Sequence, residues 1–212
     1  MTALTIFAAL AVSLNVPPPD AFKPYAEDEG VTVEIARTAE GPPWIRGRCI
    51  IPADLERVAA LLGNFAEYRK IFGVALRRAD VLRRTGETTT LHVVWAFPLF
   101  YDDRDAIVDY TVEPRSNSAE VRVTWRGASA TLGDPKSAGV RIEHVAGETI
   151  ISRAAVREAS PGTESAGATS LSYTYLGDLG GDFFDWVKEK AWKKQPVVYC
   201  QSVRAAILRG RQ

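Results

Sequence analysis

Histidine occurs only twice in 212 residues, cysteine twice and methionine once. That scarcity narrows the chemistry at once. His92, His144, Cys49 and Cys200 match no metal-ligand spacing and no CxxC redox pair. The chain also lacks a glycine-rich phosphate loop, an HExxH helix and a nucleophile elbow. Neither charge sign is in excess, since 26 Lys and Arg balance 26 Asp and Glu. A nucleic-acid binder would carry a basic stripe, so no nucleic-acid partner is expected. No internal repeat or low-complexity tract is visible. The apolar run Ala3 to Val16 is too short to span a bilayer and has the length of a signal-peptide core. It stops at Pro17-Pro18-Pro19, through which no helix continues, and no Lys or Arg precedes Lys23.

Two readings of that start stay open: an export signal or its remnant, and a helix packed on the domain. The expectation is a signal peptide or N-terminal extension with linker over 1–22 and a single domain over 23–212. A periplasmic or secreted location follows from the first reading, a cytoplasmic one from the second. The two cysteines leave one disulfide open, but the expectation is two separate buried thiols.

What is present is strand pattern. Val31 to Thr38 and Trp44 to Ile51 read as strands across the Gly41-Pro42-Pro43 loop. Asp54 is placed to cap a helix whose apolar positions Leu55, Val58, Ala59 and Leu62 recur at helical spacing. A short helix over Phe65 to Ile71 follows, ending at Gly73. Strands are then predicted over Ala79 to Arg84, Thr88 to Phe97, Arg104 to Val112, Glu120 to Arg126, Val140 to Val145, Thr149 to Glu158 and Thr169 to Gly177. Glu120 to Arg126 alternates cleanly, with Val121, Val123 and Trp125 on one face, so the sheet covers one side only. Asp178-Leu179-Gly180-Gly181 turns the chain into a long helix, Phe183 to Leu208. Its apolar side is read as Phe184, Val187, Ala191, Val198 and Ala205, with a kink at Pro196. The plan is α+β.

Within WAFPLFYDDRDAIVDY, alternation puts Arg104 on the same face as Ala106, Val108, Tyr110 and Val112. That is the covered face. A guanidinium there needs an acid, carbonyls, water or a ligand's polar end to meet it; the alternative is a strand-end arginine that curls out to solvent. Asp102, Asp103, Asp105 and Asp109 read as a solvated face. His92 is expected to face away from the interior, and both histidines read as structural or solvated.

PLFYDDRDAIVDY resembles the proline-led Arg-Asp stretch of START domains, the steroidogenic-acute-regulatory-related lipid transfer domains. VLRRTGETTTLHVVW, GVRIEHVAGETIISRA and SLSYTYLGDLGGDFFDWVKEKAWKKQPVVYCQSVRAAI are similar to the flanking strands, the Asp-x-x-Gly turn and the C-terminal helix of that family, in the same order. The resemblance implies a helix-grip fold of the Bet v 1-like type: a curved antiparallel sheet wrapped around the C-terminal helix, with two short helices after the second strand. It also implies an apolar cavity that holds one lipid, often a sterol or phospholipid, and carries or transfers it between membranes. The motif's arginine carries over onto Arg104, and Phe97 to Asp103, with Phe100 and Tyr101, onto the loop that closes the cavity mouth.

The other expected lining residues are Leu91, Val93, Trp95, Val108, Tyr110, Val123, Trp125, Tyr173, Tyr175, Phe184, Val187 and Ala191. The chain departs from the family where some members place an acid on the preceding strand, since Val93 stands there. No cofactor, metal or catalytic residue is expected, and the protein is read as a monomer. The alternative is a polyketide cyclase or aromatase that uses Arg104 with Tyr110, Tyr173 or Tyr175 in the same cavity. The C-terminal helix is basic, and Lys188, Lys190, Lys193 and Lys194 are either a solvated face or a transient contact with an anionic membrane.

Overall fold

The computed structural model describes residues 15–97, 101–114, 119–128, 135–142, 144–154 and 167–210. Among the described residues ten strands form one open sheet: β1 (Lys23–Asp28), β2 (Val31–Ala36), β3 (Trp44–Ile51), β4 (Leu76–Thr85), β5 (Thr88–Trp95), β6 (Arg104–Pro114), β7 (Glu120–Gly127), β8 (Val140–Arg141), β9 (Ala146–Arg153) and β10 (Thr169–Leu176). Nine run antiparallel in the order β1-β2-β3-β10-β9-β7-β6-β5-β4, and β8 pairs beside the start of β6. Between β3 and β4 lie two short helices, α1 (Leu55–Gly63) and α2 (Tyr68–Phe72), joined by a 3-10 turn over Phe65–Glu67. The chain closes with α3 (Asp185–Arg209). This is the α+β helix-grip architecture.

Local chemistry explains most of these elements. Asp54 caps α1, its Oδ1 accepting from the Arg57 amide at 2.7 Å, and Leu55, Val58 and Leu62 turn into the core. Alternation holds along β2 and β3: Val31, Val33, Ile45 and Ile51 are fully buried on the inner side. On the outer side Glu34 is covered because Arg46 (2.7 Å) and Arg48 (3.0 Å) both pair with it. Trp125 and Tyr110 face inward across the β6–β7 ladder, directly opposite one another.

Helix α3 lies across the inner face of β2 and β3. Its buried residues are Trp192, Pro196, Val197, Cys200, Val203 and Ile207, a stripe at helical period rotated from the one expected. The helix runs through Pro196 as one element. The Pro196 ring sits on Gly47 of β3, where any Cβ would collide with it, so the glycine sets how closely helix and sheet approach. Trp192 donates its indole N–H to the Gly177 carbonyl at 2.9 Å. Arg204 donates to the carbonyls of Ile50 (3.1 Å), Glu29 (2.9 Å) and Gly30 (3.1 Å).

Three expectations are corrected here. Cys49 and Cys200 are not separate thiols but a disulfide joining β3 to α3, with Cα atoms 6.5 Å apart. The stretch taken as linker packs on the domain: Phe22, Ala36 and Trp44 form a small outer cluster with Val16 and Ala21 against it. Beyond it, β1 adds an edge strand that sequence pattern did not show. The strand expected over Val140 to Val145 shrinks to two residues, parallel to Arg104 and Asp105. Residues 1–14 lie outside the described residues.

Candidate functional site

Between the sheet and α3 is a cavity of about 110 Å³. It is lined by Val93 and Trp95 of β5, Tyr110 of β6, Trp125 of β7, Tyr173 of β10, Gln195, Val198 and Tyr199 of α3, and Tyr68, Phe72, Ala75 and Leu76 from α2 to the start of β4. None of these side chains is charged. Several of the rings stack on one another. Tyr173 and Tyr199 stack 3.9 Å apart at 10°, Trp125 lies 5.5 Å from Tyr173 at 22°, and Phe72 stacks on Tyr199 at 5.1 Å. Tyr110 lies beside Trp125, 6.0 Å away.

Gly147 of β9 leaves room for the Trp125 ring in this stack. It stands opposite Trp125 in the ladder, and a Cβ there would collide with the Trp125 ring and with the Thr174 carbonyl. Gly147→Ala is expected to lose about 1–3 kcal/mol by overpacking and to shift the near-ultraviolet circular dichroism of the tryptophans. A variant with unchanged stability and spectrum would mean the ring is not held there.

Most hydroxyls at the cavity are already engaged. Tyr68 donates to the Leu62 carbonyl at 2.7 Å, Tyr199 bonds Thr149 at 3.1 Å, and Gln195 donates to the Tyr173 hydroxyl at 3.4 Å. Burial pushes the pKa of Tyr68, Tyr110, Tyr173 and Tyr199 up, so all four stay protonated at neutral pH.

Arg104 faces inward and is only 4 % exposed, but it does not line the cavity. Its Nε donates to the Leu179 carbonyl at 2.9 Å, one terminal nitrogen to Gly180 O at 3.1 Å and the other to Asp102 O. Phe97 and Phe183, whose ring centroids are 5.6 Å apart, both lie against the guanidinium, at 4.7 and 4.6 Å from its carbon. Carbonyls and aromatic faces thus answer the cation. The turn after β10 is built for this. Gly180 and Gly181 have φ of 64° and 83°, a region open to glycine, and Asp178 Oδ1 accepts from the Gly180 amide at 2.8 Å.

Arg104→Met is expected to cost about 2–4 kcal/mol, because three carbonyls lose a charged donor. Arg104→Lys should recover little, since one ammonium cannot span all three. Urea unfolding tests this; wild-type stability in Arg104→Lys would contradict it.

The remaining expected residues fall as follows. Val93, Trp95, Tyr110, Trp125 and Tyr173 line the cavity. Leu91, Val108 and Val123 are buried within the core cluster, outside the lining. Tyr175 stacks on Tyr173, and among the described residues its buried hydroxyl has no partner. Phe97 and Tyr101 pack on Phe183 instead. Phe100 lies outside the described residues. Val187 and Ala191 are half-buried, and neither lines the cavity. Phe184 is corrected: it stands at the N-cap of α3 and is 71 % exposed, with Trp186 at 66 %. Lining residues not anticipated are Tyr68, Phe72, Ala75, Leu76, Gln195, Val198 and Tyr199; the i, i+4 spacing of Gln195 and Tyr199 was the available signal for those two.

A second correction concerns the acids of the Arg104 stretch. Asp105 is fully buried on the outer side of β6, not solvated. It pairs with Arg141 (2.8 and 3.1 Å), Ser137 (2.7 Å) and His92 Nε2 (2.9 Å). His92 is therefore structural, as its face implied. A larger hollow, about 670 Å³, opens on the outer sheet face beside Pro17–Pro19, but Arg46, Asp109, Arg122, Arg126 and Glu148 line it. Its charges do not suit an apolar guest.

No family model matches the chain, and no curated protein matches it in sequence. Solved structures do. A STAR-related lipid transfer protein from Xanthomonas axonopodis superposes with a TM-score of 0.71 at 17 % identity, over 91 % of this chain and 100 % of that one. Human STARD10 gives 0.70 at 18 %, over 91 % and 75 %. The Zhui aromatase/cyclase of a Streptomyces species gives 0.55 at 12 %, over 80 % and 95 %. The fold is START-like.

Proposed function

We propose that the protein binds one hydrophobic small molecule, a lipid in class, between the sheet and α3, and carries it between membranes. The observation that carries this reading is the uncharged, aromatic-lined cavity of a START-like fold. A similar fold in proteins described as lipid transfer proteins supports the lipid class. Lipid-sized guests occupy pockets of roughly 300 Å³ or more. The 110 Å³ hollow therefore takes in part of such a guest, or widens around it. The cyclase reading is less favoured, because the cavity's tyrosines are protonated and, among the described residues, no lining carboxylate or histidine serves as base.

Exposed Phe184 and Trp186 support membrane contact better than the lysines do. Lys188, Lys193 and Lys194 each lie near an acid, Asp185, Glu189 and Asp28 respectively. The disulfide supports an oxidising compartment. Native mass spectrometry of purified protein, with extraction of any bound lipid, tests the proposal. A co-purifying lipid, one per chain, supports it. A protein that takes no lipid from vesicles but turns over an aromatic polyketide precursor overturns it.

A further inference from the structure

The outer face of the sheet carries a second concavity whose chemistry is the reverse of the inner one. The hollow of about 670 Å³ falls within the size range of small-molecule sites. Its floor holds one transverse row of side chains, drawn from six neighbouring strands. Thr88 stands opposite Thr111, Thr111 opposite Thr124, Thr124 opposite Glu148, Glu148 opposite Thr174 and Thr174 opposite Arg46. All of these line the hollow. With strands about 4.8 Å apart, the row makes a trough roughly 24 Å long.

The trough favours neither sign of charge. Arg46, Arg122 and Arg126 are matched by Asp109, Glu113 and Glu148. The signs alternate across the β6–β7 ladder, with Asp109 opposite Arg126 and Glu113 opposite Arg122. A guest with net charge meets repulsion beside every attraction.

Some of these polar groups are answered within the protein. Arg46 pairs with Glu34, Arg122 with Glu148, and Asp109 accepts from the Thr90 hydroxyl. Others are not. Among the described residues Arg126 and Glu113 have no ion pair, and Thr124, Ser172 and Thr174 make no side-chain hydrogen bond. Arginine only donates, carboxylate only accepts and hydroxyl does both. A guest that satisfies this mixture along its length carries neutral groups that also do both, and a run of hydroxyls provides them. The lining also includes an apolar set from the amino-terminal stretch: Val16, Pro17, Pro18, Pro19 and Phe22. A sugar ring suits both parts, with hydroxyls at its edge and C–H groups on its faces.

We propose that the outer hollow binds a neutral oligosaccharide, laid along the threonine row with ring C–H faces on the proline stretch. The site lies on the opposite side of the sheet from the aromatic cavity and does not rest on the reading of that cavity. An extended peptide suits the trough less well, because each of its amide groups is fixed as donor or acceptor.

The neutral probes are cellotetraose, maltotetraose, mannotetraose and tetra-N-acetylchitotetraose. Tetragalacturonic acid and deacetylated chitotetraose carry the two charge signs, and a blocked tetraserine peptide is the amide control. Titration calorimetry of the full chain is expected to show a neutral probe binding one to one, at least about 5-fold more tightly than either charged probe or the peptide. Thr124→Val removes one hydroxyl and keeps the shape of the floor; Arg126→Gln removes an exposed charge. Each is expected to weaken that probe about 3–5-fold.

Failure of every neutral probe, preference for a charged probe or the peptide, or binding that both variants leave unchanged overturns the proposal. The probe comparison uses the unaltered chain and so does not depend on a variant folding. Lipid uptake from phosphatidylcholine vesicles, read in parallel by native mass spectrometry, reports on the inner cavity alone and is expected to be the same in Thr124→Val. Loss of sugar binding with lipid uptake intact, or the reverse, therefore discards one reading and leaves the other.

Discussion

Asp105→Asn is expected to lose about 3 kcal/mol of stability at pH 7 and progressively less as the pH falls. The carboxylate is fully buried, which alone would raise its pKa. Hydrogen bonds from Arg141, Ser137, His92 and the Ala138 amide outweigh burial and hold it at about 2. The folded value thus lies below the unfolded one near 4. Its contribution is complete above that unfolded value and is lost as pH drops towards 2. Replacing the acid at neutral pH leaves the Arg141 guanidinium facing a weak acceptor and strands the partner of a buried pair, the expensive way to break one.

Urea unfolding of both proteins from pH 7 down to pH 2 checks the sign. The gap between them should narrow with acid, and a constant gap would mean Asp105 is not ionised in the fold. The effect has a place as well as a size. Asp105 seats residues 135–142 against β6, and Ile142 there packs on Gly180, whose carbonyl holds Arg104.

The second large effect is that of the disulfide. Cys49 and Cys200 are 151 residues apart, and closing a loop of that length in the unfolded chain is worth up to about 5 kcal/mol in the chain-entropy account. Cys49→Ala with Cys200→Ala is expected to lose about 2–5 kcal/mol, with the larger part appearing as faster unfolding if the link holds native structure alone. Both sulfurs are buried, so maleimide should label neither cysteine in oxidised protein even after denaturation, and both after denaturation with reductant. Two labelled thiols without reductant would show that the bond does not form.

The parts that could be read from sequence were those whose causes are local. The cap at Asp54 and the alternation of Glu120 to Arg126 each follow from a few neighbouring residues, and both stand in the structure. The inward face of Arg104 followed from strand parity. Its partners did not, because backbone carbonyls carry no side-chain signature; the two glycines that aim them looked like an ordinary turn. Asp105 seemed solvated because Arg141 is 36 residues away. Helix α3 was misphased at its start, where Phe184 and Trp186 are apolar yet exposed. Two cysteines fix no pairing unless the distance between them is known. Half of the cavity wall was missed for a related reason: α2 and α3 reach it only through tertiary packing.

The fastenings of α3 are unevenly shared along its length. Beyond Pro196 come the sulfur link to β3, the three carbonyl bonds of Arg204, the bond from Arg57 to the Ile207 carbonyl and that from Arg209 to Lys70. Before it, the ties to the sheet side include the Trp192 indole, the Gln195 amide on the Tyr173 hydroxyl, Lys193 over the Tyr25 ring and exposed lysine pairs. The amino-terminal half of the cover is therefore the less firmly fastened, like a plank bolted at one end, and its backbone amides are expected to exchange with solvent sooner than those beyond Pro196.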